Sequence, residues 1–128
     1  MQPVRILIVD GNSDFLMALN NWLDLSPVCQ VAGTAASGAA ALAQIERLKP
    51  DLVLMSSVLP DMSSLQATLA LKARAVPPKV IILTLGNESL YYTAYRTGAD
   101  DVLDKADITA GLLTLILELF PAGKTTAK

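Results

Sequence analysis

The chain has 128 residues, of which 52% are hydrophobic and 17% charged, which sets a single globular domain as the expectation and excludes an intrinsically disordered chain. Ten Lys and Arg against twelve Asp and Glu give a net charge of −2, with no basic excess to neutralise phosphates, so direct nucleic-acid binding is not expected. There is no His, the commonest general base and metal ligand, and the single cysteine, Cys29, forms neither an internal disulfide nor a thiol zinc site.

The apolar run in the opening MQPVRILIVDGN is too short for a signal peptide, and no stretch approaches the roughly 18 apolar residues of a membrane span. A soluble, cytoplasmic domain is the expectation. Val4 to Val9 is an apolar, β-branched run that reads as a strand buried on both faces. It ends at Asp10-Gly11-Asn12, where Asn12 or Ser13 caps a helix carrying Phe15, Leu16, Leu19 and Leu23 at helical spacing up to Pro27. Val28 to Ala32 is a weaker strand. Ser37-Gly38 opens a second helix with Ala41, Leu42, Ile45 and Leu48 on one face, stopped by Pro50.

Asp51 to Met55 is the next strand, Ser56 to Asp61 a loop, and Ser63 to Ala75 a helix ending before Pro77-Pro78. Val80 to Thr84 is another strand. Asn87 caps a helix through Thr97, with Gly98 placed to end it. Asp101 to Leu103 is a short last strand, and Ile108 to Phe120 a last helix ended by Pro121. Five strands alternating with five helices predict an α/β, doubly wound parallel sheet over residues 1–121 and a polar tail over 122–128. In such sheets functional groups gather where strands end. Those exits carry Asp10-Gly11-Asn12, Ala35-Ala36, Ser56-Ser57, Thr84-Leu85-Gly86 and Asp104-Lys105.

With these exits in place, the chain resembles the receiver domains of bacterial two-component response regulators over roughly residues 4–120. The matching pieces are ILIVD (6–10), VAGTAASGAAAL (31–42), PDLVLM (50–55), LPDM (59–62), VIILT (80–84) and GADDVLDK (98–105). Each piece alone is weak; their order and spacing together are specific. The resemblance implies a flavodoxin-like (βα)5 fold of strand order 2-1-3-4-5, and is nearest to receivers attached to LuxR/NarL-type DNA-binding domains. It also implies phosphoryl transfer from a sensor kinase's phosphohistidine to an aspartate ending the third strand. Mg²⁺ is held there by acidic residues after the first strand, with a Thr or Ser and a Lys on the phosphoryl oxygens.

Carried over by position, the phosphoacceptor lies four residues before the loop proline Pro60, which is Ser56. The first-strand acidic pair becomes Asp10 and Gly11, while Thr84 and Lys105 match the family's hydroxyl and lysine. Val102 stands where many receivers carry a rotating Tyr or Phe, and Ser63-Ser64 replaces the usual Asp-Gly. A serine alcohol needs a base to become a nucleophile, and no His supplies one. Mg²⁺ sites use one or two carboxylates, and Asp10 alone remains. The expectation is therefore a pseudo-receiver with no catalytic residue, no metal and no cofactor. Its pocket of Asp10, Gly11, Ser56, Thr84 and Lys105 is nearly neutral, with Lys105 paired to Asp10 directly or through Ser56 or water.

Function then falls to protein contacts, as a homodimer or with a protein partner, and not to membrane or nucleic acid. The Asn87–Thr97 segment offers Tyr92, Tyr95 and Arg96, with Tyr91 and Tyr95 leaning inward. The last helix adds Leu113 and Leu117 as an apolar stripe beside its core positions Leu112, Ile116 and Leu119. Two alternatives stand beside this reading. One is an active receiver using Asp10 or Asp61 as substitute acceptor; the other is the amino-terminal regulatory part of a longer DNA-binding transcription regulator. A flavin enzyme on the same fold lacks a convergent acid, base and nucleophile.

Overall fold

A computed structural model describes residues 2–86 and 97–121. The helix expected over Asn87–Thr97 falls, except for Thr97, outside the described residues, with Tyr92, Tyr95 and Arg96, as does the tail 122–128.

Five parallel strands form one sheet in the order β2-β1-β3-β4-β5. They are β1 (Val4–Val9), β2 (Cys29–Ala35), β3 (Leu52–Ser56), β4 (Lys79–Thr84) and β5 (Asp101–Asp104). β1 lies between β2 and β3, which explains its unbroken apolar run: Ile6, Leu7, Ile8 and Val9 are fully buried because both faces of the strand are covered. Leu7 sits opposite Val53 and Val9 opposite Met55, so the ends of β1 and β3 fall level with each other.

Among the described residues, two helices cover each side. Leu7, Val9, Val53, Met55 and Ile82 pack with Ala41 and Ile45 of α2 (Gly38–Leu48) and Leu71 of α3 (Ser64–Lys72). On the other side, Ile6, Ile8, Leu54 and Ile81 pack with Leu19 and Leu23 of α1 (Ser13–Asp24) and Ile116 of the C-terminal helix (Leu113–Leu119). Trp22 and Phe15 pack half-buried at the rim of this cluster. Cys29 is buried within it, and burial pushes its thiol up from its ordinary pKa. No helix among the described residues is long and apolar enough to cross a membrane.

The helix starts follow side-chain capping. Asn12 accepts the Phe15 N–H, Ser37 the Ala40 N–H, and Ser63 forms a reciprocal capping box with Gln66. Of the two caps open for α1, the chain uses Asn12. Gly98, at φ 103, takes a left-handed conformation that glycine adopts at little cost.

Several boundaries differ from expectation. β2 begins at Cys29 and runs to Ala35, not Val28 to Ala32, because Ala35 pairs with Val9; the register shifts between Ile6 and Leu7, leaving Ala32 as an extra residue. β3 extends to Ser56 opposite Leu83, and β5 to Asp104 opposite Thr84. α3 stops at Lys72, three residues early, closed by the Ala73 N–H on the Leu69 carbonyl. The single helix expected over Ile108–Phe120 is two pieces, a wide π turn (Ile108–Leu112) and a short α-helix, and a 3₁₀ turn (Lys105–Asp107) precedes them. Ile108, Thr109 and Gly111 are weak helix formers, and the π turn falls on them. The expected Leu113/Leu117 stripe divides: Leu113 packs half-buried against the core, whereas Leu117 stays 46% exposed.

Candidate functional site

The parallel sheet brings the ends of β1, β3, β4 and β5 to one edge. Asp10 follows β1 and is only 3% exposed. One carboxylate oxygen accepts the Asn12 N–H at 2.8 Å, and the other accepts Lys105 Nζ at 2.7 Å. Lys105 follows β5, and its ammonium also lies 4.1 Å from the centroid of the Phe15 ring on the first turn of α1. Of the arrangements open from sequence, the pair is therefore direct. Lys105 is held on one side by a carboxylate and on the other by an aromatic face.

Ser56 ends β3 and is buried; its hydroxyl oxygen accepts the Val58 N–H at 3.2 Å. Thr84 ends β4 and is fully buried, and its hydroxyl has no hydrogen-bond partner among the described residues. A cleft of about 470 Å³ opens over this edge, lined by Asp10, Gly11, Ser56 and Lys105 with an apolar rim of Val58, Leu59, Pro60 and Leu85. Thr84 does not line it. Val58 and Leu85 are 68% and 73% exposed, so the rim is open to solvent while the charges lie below it. Val102, also singled out, is a buried core residue on the α2–α3 side of the sheet.

The donor set does not fit a divalent ion. Mg²⁺ wants oxygen ligands, one or two of them carboxylates. Among the described residues Asp10 supplies the one carboxylate of the cleft and already carries an ammonium, Gly11 has no side chain, and Ser56 offers a neutral hydroxyl. No three His, Cys, Asp or Glu side chains converge as a metal site among those residues. One negative and one positive charge leave the cleft neutral.

Asp61, named as an alternative acceptor, has its carboxylate at the start of α2. Its two carboxylate oxygens accept the Gly38 N–H at 2.9 Å and the Ala39 N–H at 2.8 Å, at the start of α2. The first turn of α2 contains no acidic residue of its own, so Asp61 supplies the negative charge that the exposed amides and helix dipole favour. Those amides, Ala39 first and Gly38 second, hold the Asp61 carboxyl below its ordinary pKa.

A carboxyl depressed by folding contributes stability above its unfolded pKa and loses it as pH falls through the folded value. The stability gap between the native chain and Asp61→Ala is thus expected to be constant from neutral pH to about pH 5 and to shrink below about pH 4. Urea unfolding across that range measures it; a gap independent of pH would contradict the assignment. Sequence inspection missed this contact and the Phe15 ring, although the missing first-turn acid in α2 was a visible signal for the former.

A doubly wound sheet with its charged residues at the carboxyl ends of the strands defines the flavodoxin-like receiver fold. Residues 6–116 match the response regulator receiver domain family, and the chain belongs to it. A protein-glutamate methylesterase/protein-glutamine glutaminase from Methanosarcina acetivorans is 33% identical over 104 residues, 80% of this chain and 29% of the relative. The response regulator protein VraR from Staphylococcus aureus is 32% identical over 103 residues, 80% of this chain and 49% of that protein. The chain thus spans less than half the length of either. The signal receiver domain of NarL from Mycobacterium tuberculosis superposes with a TM-score of 0.87 at 27% identity, covering 95% of this chain and 99% of that one.

Proposed function

We propose that this receiver domain is a pseudo-receiver: a non-enzymatic signalling module that regulates through protein contacts and independently of phosphoryl transfer. The observation that carries this reading is the Lys105–Asp10 ion pair at 2.7 Å, which occupies the one carboxylate in the cleft. Ser56 stands at the position that the family resemblance gives to the phosphoacceptor. Its hydroxyl needs a base, and the nearby Lys105 is bound as an ammonium donor to Asp10.

The competing reading, a substitute acceptor, meets a specific obstacle at each candidate. Both Asp10 oxygens accept hydrogen bonds inside the cleft, and both Asp61 oxygens accept them at the start of α2. Each of these bonds draws on the electron density that a nucleophilic attack would need.

We assign the output surface to the C-terminal helix at Leu117 rather than at the core-packed Leu113, together with Tyr92, Tyr95 and Arg96 on sequence grounds, engaging a second copy or a partner protein. The exposed Leu117 supports this assignment. As a piece of a longer regulator, of LuxR/NarL type by resemblance, the domain passes a binding signal onward rather than a phosphoryl signal.

Calorimetric titration with Mg²⁺ tests the reading. The expected result is no saturable binding at millimolar Mg²⁺, because binding requires Lys105 to leave Asp10. Stoichiometric binding would overturn it.

A further inference from the structure

A cavity of about 550 Å³ lies at the opposite edge of the sheet from Asp10, where β3 and β4 begin. Its walls include Ile45, Pro50, Val76 and Phe120, from three separate parts of the chain. Ile45 and Pro50 are buried and Val76 is 89% exposed, so an apolar interior meets an apolar lip.

The rim is charged, with one positive charge in excess among its lining residues. Lys49, Arg74 and Lys79 face Glu46 and Asp51. Arg74 pairs with Glu46, and Asp51 accepts the backbone N–H of Arg5 at 2.8 Å. Lys79 lies 3.8 Å from Asp100, but that carboxylate already holds Lys72 at 2.6 Å. Lys49 has no ion-pair partner among the described residues.

Lys49 is also the one non-glycine residue with positive φ among the described residues, at 46°. It ends α2 in the left-handed conformation that glycine adopts at lower cost. Its backbone is fixed there by the Arg5 guanidinium, which donates to the Lys49 carbonyl at 2.9 Å. A strained residue thus holds an ammonium with no ion-pair partner among the described residues beside an apolar cavity.

We propose that this cavity is a second ligand site, separate from the receiver cleft, for a small amphiphilic anion. The ligand has an aromatic or aliphatic body seated against Ile45, Pro50 and Phe120 and one acidic group between Lys49 and Lys79. The volume falls within the range of small-molecule sites, and the charge on the rim selects the sign of the ligand.

The test uses the full chain and two probes with the same body: 8-anilinonaphthalene-1-sulfonate and its uncharged counterpart N-phenyl-1-naphthylamine. The sulfonate is expected to bind one saturable site more tightly than the amine, with NMR shifts at Ile45, Lys49, Val76 and Phe120. Lys49→Glu with Lys79→Glu is expected to weaken the sulfonate by about tenfold or more and leave the amine nearly unchanged. If the double variant melts at lower temperature, Lys79→Gln alone, at a 46% exposed side chain, carries the comparison. No saturable binding, equal affinity for both probes, or shifts centred on the Asp10 cleft would overturn the proposal.

Discussion

Lys105→Met is expected to destabilise the domain by about 3 kcal/mol, the lower end of the cost of breaking a buried ion pair. The Lys105 and Asp10 side chains are only 16% and 5% exposed, so solvent screens the pair little. Without Lys105, the Asp10 carboxylate keeps the Asn12 N–H as its remaining hydrogen-bond donor, and its charge is uncompensated. The pair itself contributes less than that loss suggests, since its attraction is offset by the desolvation of both charges. Asp10→Asn combined with Lys105→Met should therefore recover most of the stability, because the introduced amide oxygen still accepts the Asn12 N–H and carries no charge. Urea unfolding of the two single variants and the double variant closes the cycle. Additive losses would show that the two side chains do not depend on each other.

The second large effect is a gain. Gly11→Asp with Ser56→Asp places three carboxylates against one ammonium, which turns a neutral cleft into a site with the donors Mg²⁺ prefers. The new side chain at position 11 fits with little disturbance: a Cβ there lies 3.3 Å from the Pro60 ring, so that ring shifts by a few tenths of an ångström. Without metal the double variant should melt below the native chain through like-charge repulsion. Mg²⁺ should then raise its stability, by about 2.7 kcal/mol at a hundredfold excess over the Kd, while leaving the native chain unmoved. Equal Mg²⁺ responses in native and variant chains would mean that Asp10 alone suffices and that Lys105 yields readily.

What can be read from the chain follows how local each signal is. The runs Val4–Val9 and Val80–Thr84 are apolar because both faces of those strands are covered, and the caps Asn12, Ser37 and Ser63 act within three residues of themselves. Edge strand β2 reads short because the sequence Gly33-Thr34 gives little apolar signal, while its length is set by pairing with β1. Asp10 and Lys105 lie 95 positions apart, yet the strand-end rule for parallel sheets predicts their meeting. The destination of Asp61 is not legible, since it depends on the path of the β3–α3 loop and on which amides the start of α2 leaves open. The fragmentation of the C-terminal helix is hidden for a related reason: its apolar spacing survives the wide turn, with Ile108, Leu112 and Ile116 all buried.

The proposal that the chain takes no phosphoryl group is tested most directly by its intact mass after incubation with acetyl phosphate, with and without Mg²⁺. An unchanged mass under both conditions is the result that the occupied Asp10 carboxylate and the unactivated Ser56 hydroxyl predict. A Mg²⁺-dependent gain of one phosphoryl group would contradict the pseudo-receiver reading and make the acceptor residue the next thing to map.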